Sequence, residues 1–82
     1  MERLSFKEWL IQEKEFSRRA AQDVLSRCKR AEAILPADDY ADDSYYFFKL
    51  TQEDSFKKLS VSVRSQIKRA LKLKSEYTQL LQ

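Results

Sequence analysis

The chain of 82 residues contains no glycine and a single proline, Pro36. Without glycine, positions that need a positive φ have few low-cost occupants. The Asn-Gly and Asp-Gly turns of tight β-hairpins are missing as well. A chain so composed favours helices over strands. Its length suits one small domain over residues 1–82 and not two. The expectation is an all-α bundle of four to five helices.

The helix starts can be read from capping residues. Ser5 with Glu8 three positions later fits a capping box, and Phe6, Trp9 and Leu10 then share one side. This predicts a first helix running to about Glu15. Ser17 caps a second helix through about Leu35, with Ala21, Val24, Leu25, Cys28, Ala31 and Leu35 spaced as a buried stripe. Pro36 ends it, because proline disfavours helical backbone at the residue before it. Residues 36–43 form the one loop of any length. Asp43 or Ser44 can cap a short aromatic helix through Leu50; a strand over Tyr45–Phe48 is discounted because no partner strand is visible. Thr51 followed by Asp54 predicts another start, leading through Phe56 to Leu59. Ser60 or Ser62 caps a last long helix with an apolar stripe of Val63, Ile67, Ala70, Leu71, Tyr77 and Leu81. Trp9, Phe16, Phe47, Phe48 and Phe56 are the expected bulk of the core, and the tyrosines are expected to be core aromatics as well.

Several chemistries are disfavoured by residue usage. The chain has no histidine, which removes the commonest general base and metal ligand. Cys28 is the one cysteine, so no internal disulfide exists and soft ligands for a structural zinc are too few. Placed in an apolar stripe, it reads as an inert buried thiol. Asp38, Asp39, Asp42 and Asp43 cluster, but without EF-hand spacing or its glycine. They read as a solvated acidic loop. No catalytic site, cofactor or metal is expected. No apolar run suits a signal peptide or membrane span, and a reducing, cytoplasmic setting is the default expectation.

Charge is segregated along the chain. Residues 36–56 carry Lys49 against six acids, whereas residues 57–82 carry seven basic residues against Glu76 alone. Arg64, Lys68 and Lys72 recur every four residues and align along one helical ridge, with Ser65 and Arg69 beside it. Such a ridge can meet backbone phosphates. Lys74 falls in the middle of the apolar face, where an unpaired ammonium is costly. The preferred reading is that it snorkels at the domain edge; a partner carboxylate from the acidic loop, or a partner surface, are the alternatives.

Phe6-Lys7-Glu8-Trp9-Leu10, Ser17-Arg18-Arg19-Ala20-Ala21, and Arg64 to Leu71 followed by Glu76-Tyr77 together resemble the SAM-like N-terminal, core-binding domain of phage integrases and other tyrosine recombinases. The likeness covers nearly the whole chain through degenerate motifs, mostly helix starts and apolar spacing. It implies a SAM-like bundle that clamps one side of duplex DNA beside a separate downstream catalytic domain, in DNA recombination. Carried over by position, the DNA-binding residues would be Arg18, Arg19, Ser26 and Arg30 on the second helix, with Arg64, Ser65, Lys68, Arg69 and Lys72 on the last. The chain departs from the family in placing Lys74 where an aromatic often stands, and in its acidic loop. The competing expectation is a protein-interaction module in which the acidic loop of one copy meets the basic helix of another, or of a partner.

Overall fold

Serine hydroxyls open three of the helices. In this computed structural model, which describes residues 4–37 and 43–81, Ser5, Ser17 and Ser60 sit at N-cap positions and accept the N–H of Glu8, Ala20 and Val63 respectively. Each satisfies a donor that the helix itself leaves unpaired. The order is α1 (Phe6–Gln12), α2 (Arg18–Ile34), α3 (Asp43–Thr51), α4 (Asp54–Lys57) and α5 (Val61–Leu80). No strand occurs among the described residues. The fold is an all-α bundle, as the composition predicts.

Boundaries depart from expectation in two places. α1 stops at Gln12 rather than near Glu15, because Glu15 takes φ 59 and the Phe16 N–H turns back to the Leu10 carbonyl at 3.0 Å. Lacking glycine, the chain makes this left-handed turn with a glutamate, at a cost of roughly 1–2 kcal/mol. At the predicted start Thr51–Asp54, Thr51 instead ends α3 and its hydroxyl donates to the Phe48 carbonyl at 2.6 Å. The single-turn α4 begins after Glu53, which makes no side-chain cap bond. Ser60, not Ser62, opens α5. Tyr40 and the acidic residues Asp38, Asp39 and Asp42 lie outside the described residues, as does the Asp43 side chain.

α2 and α5 are the central pair. Cys28 donates its thiol proton to the Ala70 carbonyl at 3.6 Å, and Ala21, Ala31 and Ala70 are buried beside it. Around this pair the core divides in two. At one end Trp9 and Leu10 of α1 join Ala21, Val24, Cys28 and Ala70. At the other, Tyr46 and Leu50 of α3 and Phe56 of α4 join Ala31 and Ile67. Leu71 packs against both. Tyr77 lies against Phe6 and Trp9 with ring centroids 5.3 and 5.6 Å away, and its hydroxyl donates to the Leu4 carbonyl at 2.6 Å.

Two of the aromatics expected in the core face outward. Phe48 is 58% exposed and Tyr45 51% exposed, while Tyr46 is buried with its hydroxyl on the Leu35 carbonyl at 2.6 Å. At 100° per residue Tyr46 and Leu50 share the inward face of α3, and Tyr45 and Phe48 fall on the other side. Leu81, expected in the α5 stripe, is exposed at the helix end.

Burial pushes the Cys28 thiol up to about 11 from 9.0; nearby Lys74 opposes the rise and Glu32 adds to it. The folded state therefore disfavours the thiolate. The stability this contributes is complete below pH 9 and is lost as pH rises towards about 11. In urea titrations across that window the wild type should lose stability faster than Cys28→Ala; parallel losses would contradict the burial. Ile67 is fully buried, and Ile67→Ala should lower unfolding free energy by about 2–5 kcal/mol.

Candidate nucleic-acid interface

The stripe that α5 buries determines where its cations point. Ile67 and Ala70 are buried and Val63, Leu71 and Tyr77 partly so, which leaves Ser65, Lys68, Arg69 and Lys72 exposed on the opposite side and its margins. Arg64 and Lys72 are separated by two turns, about 12 Å of helix rise. Lys57 and Lys58 are exposed just before this ridge. Arg64 is less free than its neighbours: it is half-buried, and its Nε–H is buried without a hydrogen-bond partner among the described residues.

Among the described residues no acid pairs with the cations of this ridge. The ion pairs among the described residues are Lys14–Glu76 at 3.0 Å and Lys74–Glu32 at 3.4 Å. Glu76, the one acid of residues 57–82, is thus committed to Lys14 in the turn after α1, whose Nζ also lies 5.3 Å from the Trp9 ring centroid. Lys68 reaches across to α3, with its Nζ 5.8 Å from the Phe47 ring centroid. That contact orients the lysine without cancelling its charge.

Among the described residues Lys74 has a carboxylate partner, Glu32 of α2. Its stem crosses the apolar face while its head, like that of Glu32, is a little under half exposed. A pair this accessible contributes at most about 1 kcal/mol.

On α2 the four candidates Arg18, Arg19, Ser26 and Arg30 are all exposed. Arg19, Ser26 and Arg30 project opposite the stripe Ala21–Val24–Cys28–Ala31 that meets α5. Arg19, Ser26 and Arg30 therefore face away from Lys68 and Lys72, and one flat surface does not carry both groups. Arg27 was not singled out from sequence. It is half-buried and lines a groove between α2 and α5 together with Arg69, Asp23 and Glu15.

A second groove, of about 440 Å³, runs between α5, α3 and the end of α2. Tyr46, Phe47 and Leu71 supply its apolar lining, and Lys68, Lys72 and Lys74 border it along α5. The i, i+4 spacing of Lys68 and Lys72 was legible. The docking of α3 that gives them an aromatic neighbour was not.

Among the described residues no group of three or more histidine, cysteine, aspartate or glutamate side chains is placed to hold a metal, and no helix is long and apolar enough to cross a membrane. No protein-family model, curated protein or solved structure matches the chain.

Proposed function

We propose that the chain is a non-catalytic DNA-binding helical domain that meets the phosphate backbone of duplex DNA through the outward ridge of α5. The observation that carries this reading is that Lys68, Arg69 and Lys72 are exposed along one side of a helix and form no ion pair among the described residues. Phosphate contact of this kind positions a protein on DNA without reading sequence. The resemblance to the core-binding domain of tyrosine recombinases supports the same reading and extends it to a module that works beside a separate catalytic domain. Of its α2 candidates, Arg19, Ser26 and Arg30 then form a second patch on another face, available to a different stretch of DNA.

Anisotropy titrations of a labelled duplex across salt concentration test the reading. Affinity should fall linearly on logarithmic axes. Lys68→Gln with Lys72→Gln should reduce the slope by close to two, at about 0.9 per phosphate contact. Arg19→Gln with Arg30→Gln should change it less. No binding at low salt would remove the proposal.

A second reading is favoured by the exposed rings of Phe48 and Tyr45, which share the outward face of α3. An aromatic pair of this kind suits a protein contact, either with a partner or with a second copy. Sedimentation across concentration should then show self-association that Phe48→Ser abolishes; a monomer throughout excludes the second copy.

A further inference from the structure

We infer that the groove between α3 and α5 takes one unpaired nucleotide, so that the α5 ridge prefers single-stranded nucleic acid to duplex. The inference rests on the phosphate-binding reading of α5 and names the substrate form that this surface fits.

The groove combines two features that the ridge alone does not have. Its volume, about 440 Å³, lies within the range of ligand pockets, roughly 300–1,000 Å³. Phe47 and Leu71 line it with an apolar surface against which a base can lay its π-face. Tyr46 has its hydroxyl committed to the Leu35 carbonyl, so it too presents carbon to the groove. Lys68, Lys72 and Lys74 border it on the α5 side. Lys74 is matched by Glu32, which leaves the charge of Lys68 and Lys72 uncompensated among the described residues.

Lys68 and Lys72 belong to both the groove and the ridge, and this continuity selects the occupant. A backbone whose phosphates follow Lys68 and Lys72 passes directly along the groove mouth. In a duplex the bases are paired and stacked, and none can turn into it. A single strand has free bases, and one can rotate onto Phe47, displacing the Lys68 head from its ring, while the flanking phosphates take up Lys68 and Lys72. Stacking of this type accepts any base, because every base has a π-face. Half-buried Ser75 lies along the wall and offers a hydroxyl to a base edge. Thr78 adds little polarity, since its hydroxyl donates to the Lys74 carbonyl at 2.9 Å.

The test compares a labelled short oligothymidylate with a duplex carrying the same number of phosphates, both at low salt. The strand should bind about tenfold tighter, the usual size of one base–aromatic stack. Thr78→Trp fills the groove from an exposed position and leaves the ridge cations in place. It should abolish the preference for the strand while duplex affinity stays unchanged. Phe47→Leu, which keeps an apolar side chain beside Phe56, should weaken strand binding alone. Thymidine monophosphate identifies the source of the nucleotide. Competition at concentrations comparable to the strand assigns a free nucleotide; failure to compete assigns the strand. Equal affinity for strand and duplex, or a Thr78→Trp protein that keeps its strand preference, overturns the inference and leaves the ridge reading standing. Absence of binding to either nucleic acid overturns both.

Discussion

The close contact of α2 with α5 is the constraint on which the rest of the molecule depends. Ala21, Ala31 and Ala70 bring small side chains to the buried faces, and Cys28 is near enough to Ala70 for its thiol to reach a backbone carbonyl. Bulkier residues there would force the axes apart, because a packed interior tolerates little added volume. Each half of the core then needs this pair as its floor. α1 closes one half with Trp9 and Leu10, and α3 with α4 closes the other with Tyr46, Leu50 and Phe56. The bundle is thin, with extents of 41 × 27 × 16 Å, and few large side chains are fully removed from water. Leu71 is the side chain common to both halves.

The same contact arranges the charge. Once Ile67 and Ala70 face inward, helical geometry leaves Ser65, Lys68, Arg69 and Lys72 no place but the outer side. Among the described residues, the acids that pair are Glu76 and Glu32, and they go to Lys14 and Lys74 rather than to the ridge. A cationic surface is therefore a by-product of how the apolar stripe is satisfied. Its proximity to Phe47 follows from where α3 docks, and this turns a simple basic face into a basic face beside an aromatic groove.

Much of this was legible in the sequence, and the exceptions have physical causes. Ser5, Ser17 and Ser60 announced their helices because capping is local. The α5 stripe and ridge were legible because both follow one period. Glu15 defeated the reading of α1, since nothing in its neighbours signals a left-handed glutamate. Thr51 looked like a helix start but bonds backwards to Phe48, a choice that local pattern leaves open. Phe48 and Tyr45, expected in the core, face outward because a run of four aromatics has no polar residue to fix its phase. The pairing of Lys74 with Glu32, the facing-away of Arg19 and Arg30 from Lys68 and Lys72, and the groove beside Phe47 all depend on contacts between distant segments, which periodicity does not encode.

Native-state amide hydrogen exchange tests the α2–α5 constraint most directly. If this contact is the floor of both half-cores, amides from Val24 to Ala31 and from Ile67 to Leu71 should be the slowest in the chain. They should exchange through a single opening whose free energy equals that of global unfolding. Should α5 amides exchange through a lower-energy opening while α2 stays protected, the two helices are not one cooperative unit, and the account of both the core and the charged face fails.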